Sequence, residues 1–302
     1  MSTASAPLAA PETSSQAPLP AGAFPYREAL VTGASGGLGR AFALALLAAG
    51  VRVHGTSRSG AGLPAGVIPH ALDLAHPSSV AALVAELRRD APALDLLINN
   101  AGSGLWQAVC DLGDAEISES CAILLEGPVR LCRAFHPRFA EQGHGAIVNV
   151  TSLAGVFPIP CMSLYCAAKA GLSAFTRTLM LEASGSGVVI LDFQPGDYRT
   201  GFNENMRKAH LEPAGERRGA AHSGNNFRDA ARDLRAWECC EAHLRDGPPP
   251  RHAAKALMRA LRHGRSGTVV TGTFFQAVLG LFLARFLPSR LIHRFLRAYY
   301  RL

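Results

Sequence analysis

Residues 29–39 read Ala29-Leu30-Val31-Thr32-Gly33-Ala34-Ser35-Gly36-Gly37-Leu38-Gly39. Three apolar residues start a short strand and run into a glycine-rich turn. Residues 41–49, mostly Ala and Leu, are strong helix formers that end at Gly50, and Val51-Arg52-Val53 opens a second strand. Strand, glycine turn, helix and strand make a βαβ unit, and such a crossover joins parallel strands. A turn without side chains lets backbone amides approach a pyrophosphate, whose charge then faces the positive end of the helix. The stretch predicts a parallel sheet and a dinucleotide site at its edge.

The alternation continues along the chain. Strands are expected at 67–74, 94–98, 146–150, 187–193 and 268–271, and helices at 78–90, 117–139, 165–182 and 252–263. Within 78–90, Val80, Leu83, Val84 and Leu87 share one face. Right-handed crossovers between such elements give an α/β fold, a doubly wound parallel sheet of Rossmann type. Ligands in that architecture collect at the carboxyl ends of the strands. The polar clusters fall at those ends: Thr32 to Gly39, Ser57-Arg58, Asp73-Leu74, Asn99-Asn100-Ala101-Gly102 and Thr151-Ser152. No acidic residue lies between Glu28 and Asp73 to accept from a ribose 2′-hydroxyl, whereas Arg58 with Ser57 suits a 2′-phosphate. NADP(H) is therefore favoured, with NAD(H) as the alternative.

The 302 residues, 48% hydrophobic and 18% charged, have a globular composition sufficient for one large domain. Seven cysteines without a CxxC pair fit reduced thiols in a cytoplasmic compartment, and no metal is expected. Residues 1–25, rich in Ala, Pro, Ser and Thr, lack the basic start and apolar core of a signal peptide and read as a disordered leader. A single domain is expected over 26–272, with a polar substrate lobe at 203–250 broken by Gly224-Asn225-Asn226 and Pro248-Pro249-Pro250. That lobe carries a helix at 228–243.

The stretch Leu164-Tyr165-Cys166-Ala167-Ala168-Lys169-Ala170-Gly171-Leu172 adds a candidate reacting centre. On a helix, Tyr165 and Lys169 lie one turn apart on one face. A phenol beside an ammonium is an acid/base device, because the positive charge favours phenolate and lowers the tyrosine pKa.

Together these residues make the chain from about Glu28 to about Phe202 resemble the short-chain dehydrogenase/reductase family. Thr32-Gly33-x-x-x-Gly37-x-Gly39 matches the family's cofactor turn, and Asn99-Asn100-Ala101-Gly102 its sheet-stabilising motif. Ser152 stands thirteen residues before Tyr165, and Pro195-Gly196 with Thr200 matches the segment that closes over the nicotinamide. The resemblance implies Tyr165 as general acid or base, Lys169 lowering its pKa and bonding the nicotinamide ribose, and Ser152 polarising the substrate oxygen. It implies that Gly33, Ser35, Gly37, Leu38 and Gly39 line the pyrophosphate and Asp73 and Leu74 the adenine. Asn100, with Ala101 and Gly102, would adjoin the ribose. The family's further catalytic Asn is absent: three residues before Gly127 stands Leu124, and no Asn occurs between Asn100 and Asn149. Either turnover is slower, or the chain is a cofactor-binding protein with weak or no turnover.

Apolar residues near the expected pocket, Leu105, Trp106, Leu153, Phe157, Ile159, Tyr198 and Phe202, suit a small hydrophobic carbonyl or alcohol. Charge is uneven. After Asp246 there are ten basic residues and no acidic one, while the 20 basic residues before that point face all 23 acidic ones. The tail at 273–302 is read as a basic amphipathic helical extension. Phe274, Phe275, Val278, Leu279, Phe282 and Leu283 form one face; Leu291, Ile292, Phe295, Leu296 and Tyr299 form another beyond Pro288. This tail suits peripheral contact with an anionic membrane, or docking on the domain or a second subunit. It carries no nucleic-acid recognition motif. A homo-oligomer is expected.

Overall fold

The apolar runs form a single parallel sheet in the computed structural model, which describes residues 23–202, 206, 230–273, 276 and 286–302. Its strands are β1 (Glu28–Val31), β2 (Arg52–Ser57), β3 (Ile68–Ala71), β4 (Leu94–Asn99), β5 (Gly145–Val150), β6 (Val188–Pro195) and β7 (Gly267–Thr271). The spatial order is β3-β2-β1-β4-β5-β6-β7, all parallel, so the winding reverses between β1 and β4. That reversal opens a crevice at the carboxyl ends, the ligand position of a doubly wound sheet.

Helices cover both faces: α1 (Gly37–Ala48), α2 (Pro77–Asp90), α3 (Asp114–Cys121), α4 (Gly127–Glu141), α5 (Ser163–Glu182), α6 (Ala230–Asp246), α7 (Pro250–His263) and α8 (Ser289–Tyr299). Strand side chains alternate between the layers, as a period of two requires. Ala29 and Val31 pack with Phe42, Leu46 and Leu257 of α1 and α7, whereas Leu30 packs with Leu83, Leu131 and Phe135 of α2 and α4. A buried hydrogen-bonded chain ties one flank. Glu28 Oε1 lies 2.9 Å from His54 Nε2, His54 Nδ1 2.8 Å from His70 Nε2, and His70 Nδ1 3.0 Å from Glu86 Oε1.

The structure corrects three expectations. Strand β3 ends at Ala71 because the Asp73 amide turns to Ser79 Oγ (3.0 Å) and Asp73 Oδ1 accepts from Ala75 N (3.0 Å), starting the turn into α2. The long helix expected at 117–139 is interrupted by a π-helical turn, Ala122–Glu126, between α3 and α4. Pro128 explains the break: it has no amide hydrogen for the α-helical bond to the Leu124 carbonyl, so the backbone widens there. Phe24, inside the expected leader, is buried with Tyr26 in the core. For the tail helix α8, docking on the domain is the alternative that the packing favours. Its Leu296 and the following Tyr300 are buried with Trp106, Met162 and Trp237.

Part of the apolar face of α8 thus docks on its own chain: Leu296 is buried and Ile292 and Tyr299 half-buried, while Leu291 and Phe295 stay exposed. His243 of α6 stacks on Tyr299 (4.4 Å, 20°) and Cys239 Sγ donates to Tyr299 O at 3.0 Å. Among the described residues no helix is long and apolar enough to cross a membrane. Residues 1–22, Gly224-Asn225-Asn226 and the expected face from Phe274 to Leu283 lie outside the described residues.

Candidate functional site

The glycine turn is locked to the switch point by Thr32 and Asn100. Thr32 Oγ1 accepts from the amides of Asn100 and Ala101, each at 2.9 Å, and Asn100 Nδ2 donates to Thr32 O at 2.9 Å. Gly39 must be glycine, because a Cβ there would lie 2.2 Å from Gly33 O and 2.4 Å from Asn100 Nδ2. Gly33 and Gly37 take positive φ of 67° and 52°, open to glycine at little cost. No side chain caps the first turn of α1, where Ser35 and Gly36 are exposed, so its leading amides have no side-chain acceptor there. A dinucleotide pyrophosphate fits this cradle of side-chain-free backbone at a positive helix end.

The remaining expected cofactor residues separate into two groups. Thr200 lies against the turn, with its Cβ 3.6 Å from where a Gly37 Cβ would stand, and Gly196 N donates to Thr271 O at 2.7 Å. Thus the segment after Pro195 reaches across the crevice to the glycine turn. Gly102 lies beside both Leu124 Cδ2 and Lys169 Nζ, 3.1 and 3.8 Å from a Cβ built on it. Arg58 is exposed just beyond β2. Asp73 is turned toward His76 Nδ1 (3.1 Å), and Leu74 is buried in the core beside Gly127, so only its backbone can meet a ligand. Arg40, which the sequence reading passed over, reaches the same loop as Arg58: its Nη1 donates to Gly62 O at 3.4 Å.

Ser152, Tyr165 and Lys169 converge at the carboxyl end of β5. Ser152 Oγ accepts from Ala154 N at 3.1 Å, capping a one-turn helix, and its side chain is a polar group acting on the Tyr165 phenol. Lys169 is buried and donates to Val150 O at 2.7 Å, with Nζ 5.8 Å from the centre of the Tyr165 ring. Burial pushes the Tyr165 phenol up to about 12, against the lowering influence of the Ser152 side chain. Burial also pulls Lys169 down to about 8, opposed by the charge of Asp192. This reverses the expected lowering of the tyrosine pKa: desolvation is the largest influence, Cys166 and Asp197 add to it, and the phenol keeps its proton.

Asp192 is the supporting residue the sequence reading missed. It is fully buried in β6 and accepts from Thr151 Oγ1 (2.6 Å), Ser173 Oγ (2.6 Å) and Gln194 Nε2 (2.7 Å). The signal was present as a lone acid inside the apolar run Val188-Val189-Ile190-Leu191-Asp192-Phe193.

A cavity of about 90 Å³ opens from Ser152 and is walled by Phe157, Ile159, Asp197, Leu296 and Tyr299, among others. Of the expected pocket residues, Phe157 lines it and Phe202 stands against the Tyr165 ring at 5.6 Å. Trp106 is fully buried against Trp237 (5.0 Å, edge to face), one layer behind. Tyr198 turns into the core, its hydroxyl bonded to Thr271 Oγ1 and to His252 Nδ1 (3.1 Å). A larger open depression lined by His263, Arg265 and Gly267 lies at the amino end of β7, away from these groups.

Comparison with known proteins agrees with this geometry. The family model described as short chain dehydrogenase matches residues 27–211. The 3-ketodihydrosphingosine reductase of Bacteroides thetaiotaomicron is 29% identical over 272 residues, 90% of this chain and 97% of the relative. A short-chain dehydrogenase from Streptomyces avermitilis superposes with TM-score 0.69 at 28% identity, covering 86% of this chain and 93% of that one. A metagenomic short-chain oxidoreductase in complex with NADP superposes with TM-score 0.52 at 31% identity, over 57% and 83%.

Removing Asp192 should be costly. Hydrogen bonds to a charged group are worth about 1.5–3 kcal/mol each, and their buried donors would be left unpaired. Asp192→Ala is expected to lose about 3 kcal/mol or more in urea unfolding. A loss below about 1 kcal/mol would remove this carboxylate as the organiser of the site.

Proposed function

Since the chain belongs to the short-chain dehydrogenase/reductase family of oxidoreductases acting between CH–OH and C=O groups with a nicotinamide cofactor, we propose that it transfers a hydride between NADP(H) and a hydrophobic carbonyl or alcohol. The observation that carries this reading is buried Lys169, which donates to Val150 O one helical turn from Tyr165, beside Ser152 at the wall of an apolar cavity. The bound nicotinamide supplies or takes the hydride.

The protein's part is proton transfer and orientation. The neutral Tyr165 phenol donates its proton to the substrate oxygen in reduction and takes it back in oxidation. Ser152 gives that oxygen a second hydrogen bond, which stabilises the negative charge as it develops. The Lys169 ammonium stabilises the phenolate left behind. Its polar support is thinner than in the family pattern, because the apolar side chain of Leu124 stands where the family has Asn. Proton return through Lys169 is correspondingly slow, and the enzyme is active at modest turnover.

The NADP(H) preference rests on two guanidinium groups, Arg58 and Arg40, around the loop that follows β2, where a ribose 2′-phosphate would lie. A bidentate guanidinium–phosphate pair is among the stronger hydrogen-bonded contacts.

Incubation with NADPH and a panel of long-chain ketones and aldehydes, followed by absorbance, tests the reading. Turnover is expected for the wild type and its loss, by at least about 1000-fold, for Tyr165→Phe; equal turnover in the variant would contradict the mechanism. In reduction, kcat/KM should be level from about pH 6 to near pH 8 and fall above it. Lys169, lowered to about 8, loses its charge there, while Tyr165, raised to about 12, stays protonated. A profile level to pH 10 would contradict this assignment. Arg58→Asp should shift the NADP/NAD preference toward NAD by about 10- to 100-fold, the range of one charged hydrogen bond. An unchanged ratio in cofactor titrations would remove Arg58 from the 2′-phosphate.

A further inference from the structure

The buried chain Glu28–His54–His70–Glu86 contains three hydrogen bonds, of 2.9, 2.8 and 3.0 Å, and each needs one hydrogen. Its ends are carboxylates, which only accept, so the hydrogens come from the two imidazoles. Two neutral rings carry two, and one of the three gaps then sets lone pair against lone pair. Two imidazolium rings carry four, which pushes two N–H groups into the 2.8 Å gap between His54 and His70. One extra proton on the pair satisfies all three bonds. Both rings are buried, so a broken bond there leaves an unpaired polar group.

The charges around the pair come from every neighbouring element. Glu28 of β1 also accepts from Arg52 Nη1 of β2 at 3.1 Å, Glu86 and Asp90 act from α2, and Arg138 of α4 acts on Glu28. Asp95 of β4 is turned to the amides of Arg27 and Glu28. Burial holds His54 below the usual histidine range, against its bond to Glu28, and the charges of His70 and Arg52 add to the lowering. The folded chain therefore resists a second proton that the unfolded chain accepts.

The pair stands beneath the adenosine end of the cofactor cradle. His70 lies opposite Thr56 in the register of β2 and β3, and Ala71 opposite Ser57. Thr56 in turn holds the glycine turn, accepting from Gly33 N through Oγ1 at 3.2 Å and from Ala34 N through its carbonyl at 2.9 Å. Gly60, in the loop of Arg58, packs on the same backbone: a Cβ built on it would stand 3.5 Å from His70 C and from Ala71 N. The histidine bond thus sets the spacing between Ser57-Arg58 and Asp73-Leu74.

We propose that His54 and His70 form a one-proton clamp that makes cofactor binding sensitive to acid: a second proton breaks the bond between the rings, weakens the hold of β3 on β2 and loosens the walls around the adenosine end. This regulation rests on the reading of the site as one for NADP(H). Its sign follows from the proton count. Below about pH 6.5 the unfolded chain charges both histidines and the folded chain one, so stability falls as the pH falls. His54→Gln keeps a donor for Glu28 and an acceptor for His70 Nε2–H but has no proton to gain, which separates titration from packing.

The test compares the full-length wild type with His54→Gln at pH 7 and pH 5, by urea unfolding and by calorimetric titration with NADP⁺. On going to pH 5 the unfolding constant of the wild type is expected to rise about 5- to 25-fold relative to the variant. The upper figure is that of a histidine of pKa about 6.5 that charges only when unfolded. NADP⁺ affinity should fall about fivefold more in the wild type than in the variant, a typical coupling between linked sites; titration of the 2′-phosphate itself is common to both proteins. Equal acid dependence of unfolding in the two proteins overturns the clamp, and equal loss of NADP⁺ affinity overturns its link to the cofactor. Spectra of ¹⁵N-histidine-labelled wild type at pH 7 decide without a variant: three of the four ring nitrogens of His54 and His70 should carry slowly exchanging hydrogens, and two would overturn the shared proton. If NADP⁺ binds at neither pH, the cofactor reading fails, while the unfolding and nitrogen results still decide the clamp.

Discussion

The 2.7 Å bond from Lys169 Nζ to Val150 O sets the geometry on which the site depends. It ties helix α5 to the carboxyl end of β5. Ser152 lies two residues beyond the acceptor and Tyr165 one helical turn before the donor, so the bond fixes both groups of the reacting centre at once. A buried ammonium tolerates little freedom, because losing its acceptor would leave an unpaired charge in an apolar surround. Asp192 steadies the arrangement from the next strand, and its bonds to Thr151 and Ser173 join β5, β6 and α5 around a single carboxylate.

The same desolvation that makes this arrangement rigid determines its chemistry. Phenol and ammonium shift in opposite directions, each toward its neutral form. A protonated tyrosine is the form the proposed reduction needs, and the lysine would change charge near pH 8. Leu124 marks where the apolar surround goes further than the family pattern. Pro128 opens the helix at that carbonyl, so the backbone keeps a local irregularity while the side chain contributes only packing.

Much of this could be read from the sequence, for reasons that are local. Apolar runs interrupted by glycine turns at regular spacing define a parallel sheet, and Gly39, Asn100, Ser152, Tyr165 and Lys169 are bound to their places by spacing along it. The failures were of another kind. Tyr198 and Trp106 are apolar and close in sequence to the pocket, yet whether such a ring faces a cavity or a core depends on partners far along the chain, His252 and Trp237. The tail's sequence left membrane contact and docking on the domain equally open, because the contacts with α6 that decide between them are announced by no periodicity. Asp192 was legible as an acid within an apolar stretch. Its meaning appeared only with the groups around it.

The most direct test of the central claim is label transfer. Reduction of a hydrophobic ketone in the presence of NADPH deuterated at C4 of the nicotinamide, with the product analysed by mass spectrometry, follows the hydride itself. The account predicts an alcohol carrying one deuterium at the former carbonyl carbon, from one of the two C4 positions only. An alcohol without label, or consumption of NADPH with no labelled product from any ketone or aldehyde, would contradict it.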